Sequence, residues 1–190
     1  MIGRMLDLSS LAPVKYRLLK RVEYDQLVDA GAYRDERVEL LYGRVVTMTP
    51  QGPRHSSPVQ MLTRLLLVAV GDRAEVRVQL PFVAAGESEP EPDVAVVGPG
   101  RYATAHPEQA LLIIEIAESS LEIDRAIKAR LYAESNVQEY WIIDVKRGEI
   151  EVYRGRADGK WRDVTRVARE GTLRLEAFPD VELRAADFLP

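Results

Sequence analysis

The chain has 190 residues, 46% of them hydrophobic, which suits one domain with a sizeable core. Cysteine is absent, which excludes disulfides and thiolate metal sites, and with only two histidines hard oxygen ligands for magnesium or manganese fit better than a His-built zinc site. A net charge of −4 argues against a nucleic-acid-coating protein, which carries a strong basic excess, but not against a nuclease, whose metal-binding carboxylates themselves add negative charge.

The longest apolar stretch, around Leu65–Val70, is too short to span a bilayer, and Met1–Ser10 lacks the pattern of a secretory signal. A cytoplasmic protein without a membrane partner is expected. Residues 1–21 read as an N-terminal extension and residues 22–190 as a single domain.

In chain order, Val22–Ala30 reads as a short helix stopped by Gly31. Val38–Leu41 and Arg44–Met48, joined by Tyr42-Gly43, read as a hairpin. Pro58–Val70 is expected as a helix capped by Ser56 or Ser57, with Leu62, Leu65, Leu66 and Ala69 forming its apolar stripe. Strands follow at Glu75–Val83 and Val94–Val97, separated by the acidic loop 86–92. Leu111–Ile116 is the expected central buried strand. Leu121–Ser135 is helical by pattern, with Ile123, Ile127, Leu131 and Tyr132 facing inward. Further strands are expected at Glu139–Asp144, Glu149–Tyr153, Trp161–Thr165, Thr172–Leu175 and Val181–Leu183. This alternation implies a mixed sheet with helices packed on it, an α/β domain.

The buried strand carries the sharpest signal. Glu115 interrupts an otherwise apolar run, and desolvating an unpaired carboxylate costs several kcal/mol or shifts its pKa strongly. A metal ion or a lysine is the usual answer. Asp93 follows Pro92 at the start of the preceding strand, and neighbouring strands lie roughly 5 Å apart, so the two carboxylates can converge on one cation. Asp124 and Lys128, four apart on the next helix, can interact with each other. From that helix the Lys128 ammonium can reach the site and position, or help deprotonate, an attacking water. The set Asp93, Glu115 and Lys128 points to a metal-dependent phosphodiesterase site.

Taken singly, each residue has a plainer reading. Glu39 fits an exposed hairpin position, Asp93 a turn residue bonding its own backbone, and Asp124–Lys128 a surface pair contributing about 0.3–0.5 kcal/mol. Gln79 is a candidate to point into the same cleft. Glu139, Tyr140 and Trp141 read as packing and strand-edge residues. Two basic stretches, Lys15–Arg21 and Arg154–Arg169, suit either solvated surface or phosphate contact.

Taken together, the motifs resemble one family in order and spacing. Glu39 in Val-Glu-Leu-Leu-Tyr-Gly-Arg, Pro92-Asp93, Glu115-Ile116-Ala117, Asp124-x-x-x-Lys128 and Val137-Gln-Glu-Tyr-Trp141-Ile-Ile-Asp144 resemble the bacterial Uma-type restriction endonucleases of the PD-(D/E)XK nuclease superfamily. The resemblance covers roughly residues 22–185. It implies a restriction-endonuclease-like core and Mg2+-dependent cutting of DNA, with Mn2+ as a substitute. Asp93, Glu115 and the Ile116 carbonyl would hold the metal, with Glu39 joining directly or through water. Lys128 would serve as the lysine, which has moved from the position occupied by Ala117 to the following helix. His55 falls where the family often has a histidine, and would contact phosphate or order the site; a capping or structural role is the plainer reading. A homodimer is implied because cutting both strands needs two sites. The alternatives are a nuclease-fold protein that no longer cuts and serves as a nucleic-acid-binding or regulatory module, and metal-dependent hydrolysis of another phosphate ester.

Overall fold

A computed structural model describes residues 17–189. Of the expected N-terminal extension, residues 1–16 lie outside the described residues, and with them Lys15 of the first basic stretch. Helix α1 (Arg21–Asp29) precedes the hairpin β1 (Val38–Leu41) and β2 (Arg44–Thr47), and α2 (Pro53–Val70) follows. Strands β3 (Glu75–Val78), β4 (Val94–Val97), β5 (Gln109–Ala110) and β6 (Leu112–Ala117) come next. A helical stretch then runs through α3 (Leu121–Ile123), a π-helical turn (Asp124–Lys128) and α4 (Ala129–Glu134). The chain closes with β7 (Asn136–Val137), β8 (Tyr140–Asp144), β9 (Glu149–Ala157), β10 (Lys160–Ala168), β11 (Thr172–Arg174) and β12 (Glu182–Arg184).

The central sheet is six-stranded, in the order β10-β9-β8-β6-β4-β3. Its neighbours pair antiparallel except β6 and β8, which run parallel and are joined by the helical stretch crossing one face. This is the mixed α/β architecture the alternation of elements implies.

Period-two alternation along the strands divides the core in two. Val94, Val96, Leu112, Ile114 and Ile116 face Val59, Leu62, Leu66 and Val70 of α2, and the C-terminal strands join that layer through Leu173 and Leu183. Ala95, Val97, Ile113, Ala117 and Ile142 face the other way, against Ala129, Tyr132 and Phe82. Asp93 and Glu115 fall in the second register, so both carboxylates sit on the face covered by the α3–α4 stretch. Tyr24 of α1 packs with Val38 and Leu40 in a small third core under the hairpin.

Three local expectations change. Helix α2 begins at Pro53 rather than Pro58. Gly52 stands in an extended conformation at its N-cap, and Pro53 needs no N–H at the first helical position. Pro58 is carried inside the helix, buried on the sheet side. Strand β3 stops at Val78 because Gln79 takes a left-handed φ of 50°. In the helical stretch, Ile123 and Ile127 are exposed while Asp124 and Lys128 are buried beside Leu131 and Tyr132. The inward face therefore follows positions 124, 128, 131 and 132 through the widened turn, because the carboxylates beneath it take up the lysine.

Candidate active site

The turn of the β1–β2 hairpin places Tyr42 and Gly43 in left-handed conformations, φ 49° and 74°, which matches the strand twist of a two-residue hairpin turn. A Cβ on Gly43 would stand 2.7 Å from Leu18 Cβ and 2.8 Å from the Leu19 carbonyl oxygen, so glycine is required there on two grounds. The hairpin holds Glu39, buried in β1, over the end of the sheet. Val94 pairs with Ile114, and one step further along this antiparallel register Asp93 meets the level of Glu115. The backbone N–H of Ile116 donates to Asp93 Oδ2 at 2.8 Å and ties the two strands at that point.

Lys128 enters from the π-helical turn. Its Nζ lies 3.0 Å from Glu115 Oε1 and 3.1 Å from Glu39 Oε2, with both side chains and its own almost fully buried. Tyr132, one turn further along the same helical face, donates its hydroxyl to Glu115 Oε1 at 2.8 Å. Asp124 also faces inward, and Ser120 Oγ donates to its Oδ2 at 2.6 Å.

His55, in the first turn of α2, reaches Asp93 Oδ2 with Nε2 at 3.0 Å. Its Nδ1 is the one buried side-chain nitrogen or oxygen among the described residues without a hydrogen-bond partner. Gln79 donates to Asp93 Oδ1 at 3.2 Å and to Gln51 Oε1 at 2.7 Å. The left-handed backbone at Gln79 thus turns its amide onto Asp93, a strained conformation spent on orienting one carboxylate.

These groups line one cleft of about 150 Å³, which brings together Glu39, His55, Asp93, Glu115, Asp124 and Lys128. Gln79 borders a neighbouring apolar groove along α2 instead and meets the cleft through Asp93 and Gln51. Asp124 and Lys128 are both buried, but Lys128 pairs with Glu39 and Glu115 rather than with Asp124, and Glu39 is no exposed hairpin residue. Burial, with Asp93, Asp124 and Glu39 nearby, pushes the Glu115 carboxyl well above its ordinary range against the pull of Lys128. Burial likewise raises Asp124 to about 6, despite Lys128 and the Ser120 bond. Burial disfavours the Lys128 ammonium, but Glu115, Glu39 and Asp124 outweigh it and raise its pKa above the ordinary lysine value. One cation therefore serves a cleft with an excess of carboxylates.

Over residues 21–186 the chain matches the model of the Uma2 family, described as "Putative restriction endonuclease". It belongs to that family. The Uma2 assignment is the one the ordered motifs resemble, and it makes the chain a member of a nuclease family. The fold agrees with the crystal structure of "a putative nuclease belonging to DUF820 from Anabaena variabilis", at a TM-score of 0.71 and 17% identity over 90% of this chain and 97% of that one. A comparison with curated proteins finds no match. No described helix is long and apolar enough to cross a membrane.

Sequence reasoning did not find Gln51, and it placed Tyr132 only as a core residue. The spacing of Tyr132 from Lys128, four positions along one helical face, was a usable signal. Gln51 lies in a Pro- and Gly-rich connection where nothing local marks its partner.

Proposed function

We propose that this Uma2 protein is a Mg2+-dependent DNA endonuclease, with Asp93 and Glu115 holding the metal and Lys128 assisting the attacking water. The observation that carries the reading is the meeting of Glu39, Asp93, Glu115 and Lys128 in one buried cleft from four separate segments.

The donor chemistry fits a hard divalent cation. Asp93 and Glu115 supply oxygen from adjacent strands on one face, and Glu39 lies across the cleft. Among the described residues no three His, Asp or Glu side chains converge closely enough to hold a metal by themselves. The Ile116 carbonyl, water and a substrate phosphate would complete the set, in keeping with the habit of magnesium to retain waters and bind through one or two carboxylates. Mn2+ is expected to substitute. When bound, the metal supplies Lewis-acid polarisation of the phosphate and lowers the pKa of a coordinated water.

The chain's own groups do the rest. Ile116 N–H, His55 and Gln79 hold Asp93 in orientation. Lys128, kept protonated by its carboxylate neighbours, donates hydrogen bonds to the attacking water and to the phosphate as negative charge develops there. In the hydrolysis the water oxygen bonds to phosphorus, the ester oxygen leaves with its bonding pair and takes a proton, and the water's proton passes to solvent. His55, bound to Asp93 through Nε2, would contact the phosphodiester or order the site. Gln79 acts through Asp93, as an orienting residue more than as a direct substrate contact. Cutting both strands of a duplex requires two such sites, so a homodimer is proposed as the working form.

The test is cleavage of supercoiled, linear and single-stranded DNA with Mg2+ or Mn2+, comparing wild type with Asp93→Ala, Glu115→Ala and Lys128→Ala. Metal-dependent cutting that all three substitutions abolish supports the assignment. If Lys128→Ala alone stays active, the lysine role falls and the carboxylate roles stand. No cutting of any substrate, with no metal bound at millimolar concentration, favours the non-catalytic module.

A further inference from the structure

We propose that Tyr132 is a positioning residue for this site, its hydroxyl fixing which oxygen of Glu115 is offered to a divalent cation; the inference rests on the nuclease reading above. Tyr132 donates to Glu115 Oε1 at 2.8 Å and Lys128 Nζ donates to the same oxygen at 3.0 Å. Both bonds fall on Oε1, and no described residue donates to Oε2. Among the described residues the sole buried side-chain nitrogen or oxygen left without a partner is His55 Nδ1, so Oε2 is not sealed off. Glu115 lines the cleft, and Oε2 is the oxygen these two donors leave free.

The two donors are not equivalent. Lys128 is shared with Glu39 at 3.1 Å and is the group assigned to the attacking water, so its hold on Glu115 is divided. The Tyr132 hydroxyl is committed to Glu115, and the side chain is completely buried. Its ring is braced edge-on against Tyr140, with centroids 4.9 Å apart, and against Phe82 at 6.4 Å. A neutral phenol can also pin one oxygen without cancelling the negative charge that the other must present. The result is a carboxylate held for one-oxygen binding, with its rotation blocked by a rigid donor. Partners of this kind orient metal ligands and typically change metal affinity by 10–100-fold when removed.

Tyr132→Phe deletes the hydroxyl and keeps the ring packing. Mn2+ binding is measured by calorimetry and by the Mn2+ EPR signal for wild type, Tyr132→Phe and Glu115→Gln. Melting temperatures without metal and nicking of supercoiled DNA against Mn2+ concentration complete the set. The expected result is Mn2+ binding by wild type, its loss in Glu115→Gln, and about tenfold weaker binding in Tyr132→Phe. The half-saturating Mn2+ for nicking should rise by the same factor, more than the saturated rate falls. Wild-type Mn2+ affinity in Tyr132→Phe, beside a Glu115→Gln that has lost it, overturns the positioning role and leaves the nuclease reading standing. A slower saturated rate that tracks a lower melting temperature, with Mn2+ affinity unchanged, overturns it as well. A wild type that binds no Mn2+ removes the metal reading and this inference together.

Discussion

Two groups of buried carboxylates gather around the central sheet and are treated in opposite ways. At the β8–β9 end, Glu151 accepts from Arg125 at 2.6 and 3.0 Å, from Arg166 at 3.2 Å and from the Tyr153 hydroxyl at 2.9 Å. Glu139, fully buried, accepts from Trp141 Nε1 and Arg154 Nε at 2.8 Å and from the Glu176 N–H at 2.9 Å. Burial works to raise the Glu151 carboxyl, yet the bonds from Arg125 and Tyr153 overturn this and hold it below its usual range. At the cleft the balance runs the other way, since Glu39, Asp93, Glu115 and Asp124 have Lys128 and His55 as their cationic or potentially cationic partners. Guanidinium forks satisfy carboxylates whose task is to hold strands together. A cleft left short of positive charge is organised to receive it.

The largest expected effect tests that deficit directly. Lys128→Met leaves Glu39 and Glu115 buried without a cation, and should cost about 3–5 kcal/mol of unfolding free energy at pH 7.5. Part of that loss should return at pH 5, where the carboxylates can bind protons, as denaturant titrations at the two pH values will show. Cutting per folded molecule should fall by about 10²–10⁴-fold. Equal losses at both pH values would mean that the lysine is held by packing rather than by charge.

Exchanging the carboxylates separates the two regions. Glu115→Gln should reduce cutting by more than about a hundredfold while changing stability by less than about 1 kcal/mol. Glu151→Gln should lose about 1–3 kcal/mol, moderated by the exposure of its arginines, and keep its activity. Plasmid nicking and chemical denaturation on the same samples decide this. The comparison breaks if the two variants behave alike.

A smaller effect is expected from Asp124. Its folded pKa of about 6 lies above the ordinary 3.8, so between those values the folded form keeps a proton that the unfolded chain has released. The metal-free protein should therefore lose on the order of 2 kcal/mol of stability as pH rises from about 4 to about 6. Asp124→Asn should flatten that slope in melts across the range. An unchanged slope would assign the pH dependence to another group. Smallest of all, Ile127→Lys should shift stability by less than about 0.5 kcal/mol because Ile127 is exposed, whereas Leu131→Ala should cost about 2–5 kcal/mol. A large penalty at Ile127 would contradict the inward face drawn through Asp124 and Lys128.

The parts legible in the sequence share a cause. The Tyr42-Gly43 hairpin, the apolar stripe of α2 and the buried strand β6 are written in local periodicity and turn chemistry, which act over a few residues. The errors share one as well. The apolar pattern phases the α3–α4 stretch on Ile123 and Ile127 because an apolar residue is the ordinary inward choice, and a buried Asp124 and Lys128 invert that rule. Strand β3 ran too long because Gln79 adopts a left-handed backbone to reach Asp93, a demand made by a residue 14 positions away.

By itself the sequence determined the alternation of elements, the hard-ligand character of any metal site, and the anomaly of a carboxylate in the central strand. Those follow from residue types and spacings alone. Tertiary structure decided the rest. It turned Asp93 and Glu115 onto one face, brought Glu39 over them from the hairpin, divided Lys128 between two carboxylates, and gave Tyr132 one oxygen to hold. The distances that matter in the cleft, 2.8 to 3.1 Å, join residues up to 89 positions apart, Glu39 to Lys128. Pairing over such separations is set by strand register and helix packing, which no local pattern encodes.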